Sequence, residues 1–177
     1  MAWTEFAPMV AAIIVAIVAA YTDATRGKVY NWLTAPAFAL GFVINGICHG
    51  AHGLVIAAEG AGLAIGLLLV LSLLGRLVGG GDAKLIIALG ALLGPGLLLR
   101  ALAIGAIAGG IWAVAVMLAR GRVAQELAAL GRSVIVRIWG GCRMDAYASS
   151  SSRLPYAVPL ACGVVICVLA QTGVIPT

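Results

Sequence analysis

The chain has 177 residues, 63% of them hydrophobic and 10% charged, with a mean hydropathy of +1.15. Soluble domains carry about 25% charged residues, so this composition excludes a soluble enzyme or binding domain, and the continuous apolar runs exclude the alternation of a membrane β-barrel. The net charge of +5 is accounted for by basic cytoplasmic loops and does not point to nucleic acid.

We read an all-α, multi-pass membrane protein, a single transmembrane domain over residues 1–177. A span needs roughly 20 apolar residues. About six segments approach this, at 6–22, 32–48, 54–74, 85–99, 101–119 and 156–174. The first has no basic n-region and no small-residue cleavage site, so it reads as a retained helix rather than a signal peptide. The fourth is short and interrupted by Gly94-Pro95-Gly96, which suggests a tight hairpin with the fifth. Arg26 and Lys28 fall in the first loop, Arg76 and Lys84 in the third, and six arginines from Arg120 to Arg153 in the fifth; Arg100 alone falls opposite. The positive-inside rule then puts the odd loops in the cytoplasm and both termini outside. Residues 121–152 read as a cytoplasmic loop, either simply basic or carrying an amphipathic helix on the inner membrane surface that ends at Gly140-Gly141.

Only 6 residues are acidic, and two of them, Asp23 and Asp82, sit at the edges of apolar segments on the expected cytoplasmic side. A carboxylate near hydrocarbon is costly and usually functional. Two that meet are the minimum equipment for general acid–base hydrolysis, and their titrations are expected to be coupled. Asp23 opens Asp23-Ala24-Thr25-Arg26-Gly27-Lys28-Val29-Tyr30-Asn31. There a helix ends, the chain turns near Gly27, and Asn31 or Thr34 is expected to cap the next helix. A plainer role for Asp23 is a headgroup-level carboxylate paired with Arg26. Asp82 closes Gly79-Gly80-Gly81-Asp82-Ala83-Lys84, whose glycines let backbone approach closely. It is not a phosphate loop, because Leu85 follows Lys84 where Ser or Thr is required. The plainer role for Asp82 is a helix cap, with Lys84 reaching to the surface.

Together these segments resemble the type IV prepilin peptidase family, the GxGD aspartic membrane proteases. The first matches its pattern of Asp, a short polar run, an aliphatic, one residue and Asn (Asp23…Val29-Tyr30-Asn31), with Tyr30 where many members have proline. The second matches Gly-x-Gly-Asp-x-Lys. A third, Leu154-Pro155-Tyr156-Ala157-Val158-Pro159, resembles the start of the family's final helix. The resemblance implies an aspartic endopeptidase that removes the leader of type IV, Flp-type prepilins and pilin-like proteins at the cytoplasmic face of a bacterial or archaeal inner membrane. It implies Asp23 and Asp82 as catalytic residues and Gly79, Gly81, Lys84 and Asn31 as substrate-binding or loop-supporting ones. Its partners would be a prepilin or pseudopilin, the lipid bilayer and pilus-assembly machinery. Larger members insert a domain with paired Cys-x-x-Cys motifs that bind zinc, and they methylate the new N-terminus. Here Cys48, Cys142, Cys162 and Cys167 form no such pair and the first loop is short. The resemblance is therefore to the peptidase-only form of Flp/Tad systems, with no metal and no cofactor.

Other polar groups read as structural. His49 and His52 with Cys48 offer too few ligands for a structural metal site. Glu59 lies within the third segment on the other side from the aspartates and is expected to make a structural hydrogen bond or to stay neutral. Cys162 and Cys167 read as small packing residues, and Gly60, Gly62, Gly66, Gly105 and Gly109 as points of close helix contact. The alternative function is a proton- or cation-coupled transporter subunit using Asp23 or Asp82.

Overall fold

A computed structural model describes residues 3–73, 79–119 and 157–172, and these are helical apart from short turns. The helices are α1 (Trp3–Arg26), α2 (Asn31–Leu73), α3 (Gly80–Ala119) and α4 (Ala157–Gln171). Three are long and apolar enough to cross a membrane, over Phe6–Arg26, Asn31–Leu73 and Gly80–Ala115, and α4 is a shorter apolar helix. The chain divides into two compact units, Met1–Gly109 with Pro155–Thr177, and Gly110–Leu154. The second is described only over residues 110–119, within α3. The amphipathic helix expected within 121–152, and the Leu154-Pro155-Tyr156 part of the third motif, lie outside the described residues.

Apolar segments form helices because a helix satisfies every interior backbone group without water. Glycine interrupts two of them. In α2 the break is at Gly50, which takes φ 61. Gly53 then lies against the backbone carbonyl of Asn45, although residues eight apart in a straight helix are separated by about 12 Å. The helix therefore folds back at the Cys48-His49-Gly50-Ala51-His52 turn, between the second and third expected spans. In α3 the break is at Gly94, with φ 72 and ψ 175. There the side chain of Leu98 reaches Gly90, again eight residues away.

This break corrects one expected boundary. The fourth segment does not run through Leu99; it stops at Leu93. A left-handed glycine ends the helix, and Pro95 fits the first position of the next, where its missing N–H costs nothing. Residues 80–93 extend about 20 Å, short of the roughly 30 Å of a bilayer's hydrocarbon core.

Small residues make the helix contacts. Gly60 of α2 and Gly90 of α3 meet backbone to backbone, and Gly41 lies against Ala91. Asn45 is 4% exposed and donates to the carbonyls of Gly41, Ala91 and Leu92 at 2.9, 3.0 and 3.2 Å, clamping α2 to α3. In α4, Gly163 sits against the backbone of Ala101 and Gly105, and Gly105 and Gly109 receive Pro159. Gly62 and Gly66, expected among the contacts, face open space. In lipid, helices gain nothing from hiding apolar surface from each other, so close van der Waals approach decides their packing. The core accordingly combines Ala12, Ala16 and Ala19 of α1 with Leu85, Leu89 and Leu92 of α3 and Val164 of α4. Large apolar side chains such as Ile14, Ile47 and Leu69 point outward.

Candidate active site

Asp23 stands in the last turn of α1, where the partial negative charge of the helix C-terminus opposes a carboxylate. The chain ends this helix with a glycine cap. The N–H of Gly27, at φ 61, donates to the Asp23 carbonyl at 2.8 Å, the left-handed closure that glycine makes without strain. The Asp23 side chain turns to another helix: the backbone N–H of Ala157, the first residue of α4, donates to Asp23 Oδ2 at 3.1 Å. The electropositive end of α4 thus compensates the unfavourable end of α1. Arg26 is not Asp23's partner. Its guanidinium lies 5.7 Å from the centre of the Tyr30 ring and donates to the Tyr30 hydroxyl at 3.5 Å.

Asp82 stands in the first turn of α3, where a carboxylate is favoured. It is not the cap itself. Gly79 holds the position ahead of the helix, its carbonyl accepting the N–H of Ala83 at 2.9 Å. Asp82 Oδ2 folds back into the space a side chain at Gly79 would use, 3.1 Å from where a methyl carbon would stand. Asp82 is half-buried, and the charge of Asp23 acts on it.

The two motifs touch directly. A methyl group on Gly81 would lie 2.9 Å from the carbonyl oxygen of Val29, so only glycine lets α3 start against the α1–α2 loop. Lys84 Nζ donates to Asn31 Oδ1 at 2.9 Å. This corrects the expected capping role of Asn31, because its side-chain oxygen faces Lys84. Thr34 does not cap either; it is buried and its hydroxyl donates back to the Asn31 carbonyl at 3.5 Å.

The remaining polar groups lie apart from the aspartates. Glu59 is exposed on α2 beside Gly60, which meets α3 at Gly90, about 12 Å along the helix from Asp82. His49 lines a cavity of about 210 Å³ with Asn45, Gln171 and apolar side chains of α1 and α3. Among the described residues, no three or more His, Cys, Asp or Glu side chains gather as a metal-ligand set. Cys48, Cys162 and Cys167 are free thiols, and that of Cys167 donates to the Leu97 carbonyl at 3.7 Å.

The Ala157 N–H and the Lys84–Asn31 link were not read from the sequence. A backbone donor has no side-chain signature. The polar pairing of Lys84 with Asn31 had a possible signal, two non-acidic polar residues each following an aspartate motif.

Fold and site together define an apolar helical protein with a pair of carboxylates at the junction of α1, α3 and α4. The model of the type IV leader peptidase family matches residues 10–114, more than half of the chain, and the chain belongs to that family. No curated protein and no solved structure shows significant similarity to it.

Proposed function

We propose that the protein is an aspartic endopeptidase that cleaves the leader peptide of Flp-type prepilins and pilin-like proteins at the cytoplasmic face of a bacterial or archaeal inner membrane. The observation that carries this reading is the contact between the Asp23 and Asp82 motifs, Val29 against Gly81 and Asn31 bonded to Lys84, in a chain of the leader peptidase family. One aspartate, ionised, takes a proton from water. The other, protonated, polarises the scissile carbonyl. Their roles exchange as the leaving amine is protonated. Two carboxylates sharing a site do not readily both ionise, which keeps one proton available.

In this reading residues 1–177 form one peptidase domain with about six membrane segments, the fourth short, and with both termini external. Gly79 and Gly81 give extended substrate backbone access to Asp82, and Lys84 and Asn31 support the loops. The carboxyls move the protons, so no metal or cofactor is required. The transporter alternative draws no support from the family.

The test is to mix purified protein with a Flp-type prepilin in strong chelator without S-adenosylmethionine and to analyse the products by mass spectrometry. Native protein removes the leader and leaves an unmethylated N-terminus. Asp23→Asn and Asp82→Asn each lower turnover at least about a thousandfold, because members of one catalytic unit fail together. Native turnover in either variant, or cleavage that requires added zinc, overturns the assignment.

A further inference from the structure

We infer that the backbone N–H of Ala157 is a positioning group for the catalytic dyad: the head of α4 holds Asp23 Oδ2 and leaves Oδ1 as the oxygen that exchanges protons with water. The inference rests on the aspartic peptidase reading and assigns it a component outside both aspartate motifs.

Three observations converge. The hydrogen bond spans 3.1 Å between residues far apart in sequence, so it reflects tertiary placement and not local turn chemistry. Asp23 sits at the unfavourable end of its own helix and needs a compensating donor, which the positive end of α4 supplies. The donor is also fixed. Ala157 is 1% exposed, α4 packs along α1, and its axial position is set by Gly163 against Ala101 and by Pro159 against Gly105. No sliding of α4 is possible without breaking backbone-to-backbone contact. A carboxylate free to rotate about its χ angles would present either oxygen to the reaction. One held by a helix-end donor presents one, and alignment of this kind appears in the chemical step more than in substrate binding.

The donor can be removed by two replacements that differ in what else they change. Residue 157 is the first of its helix, the position where proline fits because that N–H has no partner within the helix. Ala157→Pro deletes the donor and also sets a ring carbon against Asp23 Oδ2, whereas an amide-to-ester replacement at residue 157 deletes the donor without adding an atom and is the deciding variant. Ala157→Gly keeps the N–H and serves as the conservative control. All are assayed on the prepilin substrate as full-length protein, with thermal melting in detergent as the check on fold.

The proline and ester variants are expected to lose at least about tenfold in kcat, the rate equivalent of ~1.4 kcal/mol, with KM within about twofold of native. Ala157→Gly is expected to stay within about threefold in kcat. An ester variant with native kcat, or a loss that falls on KM alone, overturns the inference. Asp23→Asn, run beside them, separates the two ideas. If it is inactive while the ester variant is fully active, the peptidase reading stands and the positioning role falls. If Asp23→Asn cleaves normally, the peptidase reading itself falls.

Discussion

Lys84, two residues beyond Asp82, donates its ammonium to the side-chain oxygen of Asn31 at 2.9 Å. The bond joins the fifth residue of α3 to the first residue of α2, and α2 begins directly after the loop that follows Asp23. With Val29 packed on Gly81, it makes one joint of the two aspartate motifs. The basic residue in Gly-x-Gly-Asp-x-Lys and the terminal asparagine of the first motif therefore work on each other and not on separate helix ends.

Both partners are exposed, so Lys84→Met and Asn31→Ala are each expected to cost less than about 1 kcal/mol of stability. Their effect belongs in catalysis: leader cleavage falls about three- to tenfold in each, and the double variant is no worse than the poorer single one. A double-variant loss equal to the product of the single losses rules out the joint.

The glycine cluster is not uniform. A methyl group at Gly80 meets nothing within 4 Å, whereas one at Gly81 lies 2.9 Å from the Val29 backbone oxygen. Gly81→Ala is expected to push α3 off the loop and lower cleavage more than about tenfold, since displacement of a catalytic group by a fraction of an ångström is costly. Gly80→Ala is expected to remain near native. The comparison is read from kcat of the two purified variants.

The location of the two aspartates at the edges of apolar segments was legible, because charge is rare in this chain and marks boundaries by itself. The fold-back at Gly50 was legible for the same reason, since His49 and His52 interrupt the apolar run. The break at Gly94 was only half legible. Gly94-Pro95-Gly96 signalled an interruption, but Leu97, Leu98 and Leu99 continue the apolar run, and hydropathy does not register a change of φ. Asn31 was misread because its type and position suit a cap, and a contact with Lys84 far along the chain took its side chain instead. Gly60 and Gly62 look alike in sequence, yet only Gly60 has a partner, and partnership depends on which helix face meets Gly90.

Asn45 is a buried polar side chain clamped between α2 and α3, and its three carbonyl acceptors lie on both helices. Asn45→Ala is expected to cost about 1–3 kcal/mol, the penalty for stranding buried polar partners. The loss should appear as a lower melting temperature in detergent, with cleavage near native well below the transition. Asn45 lies fourteen residues into α2, about 21 Å along the helix from Asn31. An unchanged melting temperature would show that water or relaxed packing replaces the clamp.

The helix lengths also constrain the topology. From Asn31 to the break at Gly50, α2 rises about 28 Å, close to the roughly 30 Å thickness of a bilayer's hydrocarbon core. The Gly50 turn should therefore emerge on the face opposite Asp23. Gly79 should emerge on the same face as Asp23, because Gly81 packs against Val29. With Arg26, Lys28 and Lys84 on that side, the positive-inside rule predicts that it is cytoplasmic. Reporters fused after Thr25 and after Gly79 should read cytoplasmic, and one fused after Gly50 external. Opposite readings at Thr25 and Gly79 would contradict the contact between the motifs. External readings at both would keep that contact but move the aspartates to the outer face, where a leader cut before export is out of reach.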